Sequence, residues 1–252
     1  MKATLLVLAV ALAACSNGAG TGKLDLSTHV TGAATAAPTA VTATSALAIG
    51  TNVTLDRARF LIRKVVLEAA ATGSDTNQAA TTATTAAAES PADDPVDDGD
   101  GVVVRAGPLV IDLTGAQLDG GIALLFDEQV PAGTYEELEF QIHKLTPGES
   151  VADADFAPLG SSILLDLTVD GAPFRFTSDL TAVAEISGPF VIPDGGTTNV
   201  TVTVDPSGWF TGPGGAFLDP RVETNRSQIE QNIKGSIRGF EDDDRDGAPD
   251  HV

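Results

Sequence analysis

The sequence is almost without sulfur and short of positive charge. Its single Cys excludes a disulfide framework within the chain and any cysteine-rich zinc site. Fourteen Lys and Arg stand against 35 Asp and Glu, a formal net charge of -21. So acidic a chain is not an ordinary nucleic-acid binder, which must neutralise phosphates. The same charge works against electrostatic docking on anionic lipid. Three His, one Trp, one Tyr and one Met leave little material for catalysis or soft-metal chemistry. None of the G-x-S-x-G, H-E-x-x-H or P-loop spacings occurs. What the chain does have is 42% hydrophobic residues over 252 positions, enough for one large all-β domain or two small ones.

The amino terminus reads as an address. Lys2 gives a short positive start, Ala3 to Leu12 is an uncharged apolar run, and Leu12-Ala13-Ala14-Cys15 closes it. The run is too short to span a bilayer and has the form of a removable secretory signal over residues 1–14. The ending Leu12-Ala13-Ala14-Cys15 resembles the lipobox of bacterial lipoproteins. The resemblance implies cleavage before Cys15, diacylation of its thiol and acylation of its new amino group. That exceeds the two signals needed for stable membrane attachment. Ser16 after the Cys implies, by the same resemblance, the outer membrane of a bacterial envelope, on its periplasmic or surface side. Cleavage takes Lys2 and the only Met but no acid, so the mature chain is one unit more negative. With its Met gone and its thiol acylated, copper and haem sites built on Met or Cys are excluded.

Residues 15–22 are expected to be the lipidated Cys and a flexible tether. Residues 23–222 are expected to form a β-sandwich. Within it, 69–101 is rich in Ala, Thr, Asp, Gly and Pro and reads as a disordered acidic insertion. Elsewhere apolar residues alternate with polar ones: Leu109, Ile111, Leu113; Leu138, Phe140, Ile142; Ile163, Leu165, Leu167, Val169; Val200, Val202, Val204. Asp170-Gly171 is a hairpin turn signal. This is the pattern of antiparallel sheets with one wet face, and two such sheets packed together give a mainly β, Greek-key sandwich. Between Val53 and Leu67 the alternation changes phase, as a β-bulge or a strand buried on both faces would require. A single carboxy-terminal amphipathic helix is expected over 223–240. It would be capped at Thr224, carry an apolar stripe of Ile229, Ile233, Ile237 and Phe240, and stop at Gly239.

The last twelve residues, 241–252, hold the clearest site pattern. Asp242, Asp244 and Asp246 alternate, Gly247 follows, and Asp250 stands at the ninth position. Carboxylates at positions one, three and five of a tight loop converge on one point. A backbone carbonyl, here that of Ala248, completes part of the oxygen shell that calcium requires. The run resembles the D-x-D-x-D-G-x-x-D loops of EF-hands, dockerins and thrombospondin type 3 repeats. It lacks the twelfth-position Glu of an EF-hand, and Pro249 fits the thrombospondin type better. The resemblance implies a weak calcium site with affinity of about 10⁻⁴–10⁻³ M. A solvated acidic tail is the other reading.

His29, His143 and His251 are scattered. Trp209 and Phe210 form either a core anchor or a carbohydrate platform. Val130-Pro131-Ala132-Gly133-Thr134-Tyr135 and Gly171-Ala172-Pro173-Phe174-Arg175-Phe176, with the strands around them, resemble bacterial lipoproteins built on a transthyretin-like, Ig-like sandwich. Taken together, the expected protein is not an enzyme. It is a lipid-anchored envelope protein with a structural or adhesive role and a calcium-stabilised end. It meets the membrane through Cys15 and an envelope protein or polysaccharide through its surface. The alternative is a periplasmic or surface binding protein for a small ligand or carbohydrate.

Overall fold

The computed structural model describes residues 20–31, 46–50, 52–69, 101–157 and 160–250. Cys15, most of the acidic insertion and His251 lie outside the described residues. The architecture is a two-sheet sandwich. The smaller sheet has the order β11 (Ile237–Glu241), β10 (Thr197–Val204), β1 (Thr21–Val30), β5 (Ala123–Pro131). The larger runs β8 (Ala172–Ser178), β7 (Ile163–Val169), β3 (Val53–Ala69), β6 (Gly133–Ile142), β9 (Ala182–Ile192). The short β2 (Leu47–Ala48) and the long β4 (Gly101–Thr114) also pair with β3. Pairing is antiparallel except between β1 and β10, which run parallel. β1 starts at Thr21, so two residues expected in the tether belong to the sheet.

β3 accounts for the phase change in its sequence on both counts. Residues 53–60 pair with β7 and residues 62–69 with β6, while β4 follows the other edge. The register slips between Ile62 and Lys64, leaving Arg63 as the extra residue of a bulge against β6, while on the β4 side it stands opposite both Gly107 and Pro108. Phe60 and Ile62 enter the main core between the sheets. Leu61, between them, faces the other way and packs with Leu145, Phe156 and Leu164 beneath the 144–157 loop. The strand is therefore buried on both faces, which removes any simple alternation.

The Asp-Gly signal behaves as its chemistry demands. Asp170 and Gly171 both have positive φ, +53° and +77°, and join β7 to β8. That matches the twist of a two-residue hairpin. Tyr135 donates its hydroxyl to the carbonyl of Pro131 at 2.8 Å, fixing the β5–β6 corner.

The carboxy-terminal helix is shorter than the periodicity predicts. A 3-10 turn at Glu223–Asn225 leads into α1, Arg226–Gly235, and Thr224 makes no cap. The helix stops at Gly235, a poor helix former. The Ser236 hydroxyl donates to Ile233 O at 2.7 Å and accepts the Trp209 indole N–H at 2.8 Å. Beyond it, Ile237–Glu241 pairs with β10 as a strand. The open edge of β10 outweighed the helical spacing, a tertiary override of local pattern. The stripe still reaches the core, since Ile229, Ile233 and Ile237 are all buried. Gly239 serves packing rather than a helix stop. A Cβ there would stand 2.7 Å from the Ile186 side chain on β9. Trp209 is a core anchor, 1% exposed and edge-to-face with Phe60 at 6.2 Å, so it offers no platform to a sugar. Among the described residues no helix is long and apolar enough to cross a membrane.

The outer face of β3 carries a buried charge. Arg59 is 0% exposed, and its guanidinium meets Asp153 at 2.9 Å, Asp155 at 2.7 Å and Asp166 at 3.0 Å. It thereby ties the 3-10 turn at Ala154–Phe156 to β3 and β7. Arg57, two residues before it, pairs with Asp112 at a largely wet surface. Arg59→Ala is expected to cost about 3–5 kcal/mol, as removal of one partner from a buried ion pair does. Arg57→Ala is expected to cost about 1 kcal/mol or less. Urea unfolding at neutral pH measures both, and equal losses would deny burial its role.

Candidate cation site and charged clusters

The acidic end of the chain is a strap folded over the sandwich. β1 and β10 present Asp25, Ser27, Asn199, Thr201 and Thr203 on the outer face of the smaller sheet, and all five are buried. Polar side chains on an outer face are normally wet. Here residues 242–250 bond to Asp25, Asn199 and Thr201. Ser27 donates to Asn199 Oδ1 at 2.8 Å, and Asn199 Nδ2 donates to the carbonyl of Asp242 at 2.7 Å. The Asp243 carboxylate accepts the backbone N–H of Asn199 at 2.9 Å. The Arg245 guanidinium reaches Asp25 on β1.

Asp242 is the pivot, fully buried at 0% exposure. One carboxylate oxygen accepts the Asp246 N–H at 3.0 Å. The other accepts the Thr201 hydroxyl at 2.8 Å and the Gly247 N–H at 3.2 Å. Asp244 accepts the Asp246 N–H at 3.2 Å, and Asp246 accepts the Ala248 N–H at 2.8 Å. This succession of side chain-to-backbone bonds curls the loop. Two left-handed residues complete the curl, Arg245 at φ +57° and Gly247 at φ +83°. Glycine at 247 is required twice over, because a Cβ would also stand 3.0 Å from the His29 ring.

The curl brings together Asp242, Asp244 and Asp246, each with an oxygen within 4.8 Å of the others. Oxygens about 2.3–2.6 Å from a calcium ion lie at most about 5 Å apart, so the spacing fits a hard cation. The donor set is all oxygen, which suits calcium or magnesium and not a soft metal. Asp250 stands outside this group. Its carboxylate accepts the Asp243 N–H, and its own N–H donates to the Glu241 carbonyl at 3.1 Å, closing the loop on itself. Ala248 sits in the same turn, held through its N–H. His29 flanks the loop, whereas His143 is buried with Nδ1 2.5 Å from the Lys144 carbonyl oxygen, so the two do not converge on a metal.

A second carboxylate cluster escaped the reading of the sequence. Glu137, Glu139 and Glu185 each place an oxygen within 4.8 Å of the others. Glu137 and Glu139 share a face of β6, and Glu185 on β9 lies opposite Glu139. The spacing of 137 and 139 was visible, but their meeting with Glu185 depends on strand pairing across 46 residues. Burial pushes the Glu139 carboxyl above its ordinary 4.5, and repulsion from Glu137, Glu68 and Glu185 adds to it. Burial and the Glu185 and Glu68 charges raise Glu137 likewise. Around Arg59 the sign reverses. Burial works to raise Asp153, but hydrogen bonds from Arg59 and the Asp155 N–H prevail and hold it below 3.8. The Arg59 hydrogen bond holds Asp155 below 3.8 as well.

No protein-family model matches the sequence, and no curated protein matches it. Among solved structures, MbnP from Methylosinus trichosporium aligns with 75% of this chain and 76% of its own, at 11% identity and a TM-score of 0.33.

Opposed shifts give a two-sided pH dependence. Glu137 and Glu139 bind protons more tightly folded than unfolded. Stability therefore rises as pH falls from neutral through their folded values, and the gain is complete below 4.5. Asp153 and Asp155 bind protons more weakly when folded. Their contribution is complete above 3.8 and is lost as pH falls through their folded values. Chemical unfolding across pH 2–8 is expected to place maximum stability at about pH 4–5. Glu139→Gln should flatten the limb above the maximum, and Asp153→Asn the limb below it.

Proposed function

We propose that this chain is a non-enzymatic, lipid-anchored protein of a bacterial envelope, with a structural or adhesive role and a calcium ion closing its carboxy-terminal strap. The observation that carries the reading is the convergence of Asp242, Asp244 and Asp246 within 4.8 Å on a strap whose first carboxylate is fully buried. A divalent ion there offsets the mutual repulsion of the six acids in 241–250. Asp242, Asp244 and Asp246 supply carboxylate oxygens, with the Ala248 carbonyl and water as further donors. Because Asp242 also holds Thr201 and Gly247, ion binding is transmitted to β10 and the strap together. The effect is on stability by linkage.

The anchor rests on Leu12-Ala13-Ala14-Cys15. Five residues separate Cys15 from Thr21, where β1 begins, a reach of at most about 22 Å. An acylated Cys15 would thus hold the sandwich close to the bilayer, at the outer membrane in this reading. The space between the sheets supports a role carried by the outer surface. Among the described residues it holds an apolar gap of about 20 Å³ beside Phe60, Ile62, Phe140 and Val202, room for about one water.

Melting curves with calcium and with chelator are expected to separate. Calcium at about 100 times its Kd adds about 2.7 kcal/mol, a shift of about 5–10 °C for a domain of this size. Asp244→Ala should bring the curves together, and coincident curves for the unaltered protein would remove the ion. Cys15→Ser should release the protein from the membrane fraction into the soluble one; unchanged fractionation would remove the anchor.

A further inference from the structure

Arg238 is distinguished by what it lacks. In a chain with 35 acids, the other eight arginines each lie within ion-pairing distance of a carboxylate. Arg238 has none among the described residues, and its one side-chain bond goes to the carbonyl of Ile237 at 2.8 Å. It is exposed, and it lines an open groove of about 420 Å³ between α1 and the 3-10 turn at Pro206–Gly208. That volume lies within the range of about 300–1,000 Å³ typical of small-molecule sites.

The other walls are polar and several of their groups are free. Asp205 uses one oxygen to accept the Ser207 N–H, leaving the second open. The Ser207 hydroxyl and the Gln231 amide have no partner among the described residues. The frame around them is fixed. Asn232 Nδ2 donates to the carbonyls of Gly208, Trp209 and Thr211, tying the turn to α1. Ser236 is held between the Trp209 indole and the Ile233 carbonyl. Gly208 and Gly235 keep the groove open, since a Cβ at either would meet nothing within 4 Å. A polar groove with one guanidinium outside any ion pair among the described residues, an unbonded hydroxyl and amide, and a carboxylate with one open oxygen suits a ligand that is both hydroxylated and anionic.

We propose that this groove binds an acidic sugar, a uronate free or at the end of a polysaccharide chain. Its carboxylate pairs with Arg238, and its hydroxyls bond to Asp205, Ser207 and Gln231. The inference builds on the adhesive reading and names the partner class. It stands apart from the cation strap, whose residues the groove does not share.

Calorimetric titration of the full chain with D-glucuronate, with a glucuronate-terminated oligosaccharide and with glucose tests it. Both uronates, or the oligosaccharide alone, should bind at least tenfold more tightly than glucose. Equal affinity of the two uronates assigns the free sugar, and tighter binding of the oligosaccharide assigns the chain end. Arg238→Gln should lower uronate affinity at least tenfold. Gly235→Trp should abolish it by filling the groove, with melting temperature maintained because glycine is a poor helix former. Asp244→Ala, which disables the strap, should leave uronate binding unchanged. Uronate binding no better than glucose, or undiminished by Arg238→Gln, would overturn the proposal whether or not calcium binds.

Discussion

The sandwich depends on one strand being buried on both faces. β3 carries β7 on the first half of one edge, β6 on the second half, and β4 along the other. Its outer face is dry where the 144–157 loop lies across it. Phe60 and Ile62 fill the space between the sheets, while Leu61 holds the 144–157 loop against the outside. The bulge at Arg63 lets the sheet fork, because the extra residue changes the direction of the strand where β7 gives way to β6. That fork gives Arg59 its setting, where Asp153, Asp155 and Asp166 arrive from two other segments of chain.

A chain with so large an excess of acid must place its few cations with care, and the structure does so by depth. Arg59 is fully buried and meets three carboxylates, which offset its desolvation, and its hydrogen bonds hold the protons off two of them, Asp153 and Asp155. Arg221 and Arg226 sit nearer the surface and secure the approach to α1, pairing with Asp170, Asp219 and Glu223. Arg245 crosses from the strap to Asp25 on the first strand, so the two ends of the domain meet through one ion pair. Glu137, Glu139 and Glu185 have no arginine beside them among the described residues and repel one another, with the Lys64 charge working against this at Glu139.

The sandwich was legible in the sequence because its strands alternate apolar with polar residues, as at 163–169 and 200–204, even though the polar side chains of Thr201 and Thr203 are buried. Asp170-Gly171 was legible because only a few residue types accept two successive positive φ angles. The end of α1 was not. Ile229, Ile233 and Ile237 keep helical spacing, yet Ile237 reaches the same core from a strand. An apolar side chain satisfies either geometry, and the choice was made by the open edge of β10, which no local window contains. The aspartate loop was legible in composition and spacing. Its position was not, since a run of acids at the end of a chain gives no sign that Ser27, Asn199 and Thr201 wait beneath it.

The two carboxylate triads differ in how their geometry is held, and that difference decides which is the better place for an ion. Glu137, Glu139 and Glu185 project from paired strands, where the backbone N–H groups belong to the sheet. Among the described residues no backbone N–H donates to those carboxylates to orient them, and protonation is the direct relief of their repulsion. The aspartates of the strap are oriented by the N–H groups of Asp246, Gly247 and Ala248, which fix one oxygen after another along the turn. Those bonds hold the carboxylates converging, so the crowding of acidic groups is built into the loop. A charge arrangement of that kind is relieved most directly by a small divalent cation at its centre, and Asp242, anchored to Thr201, carries the relief into the sheet.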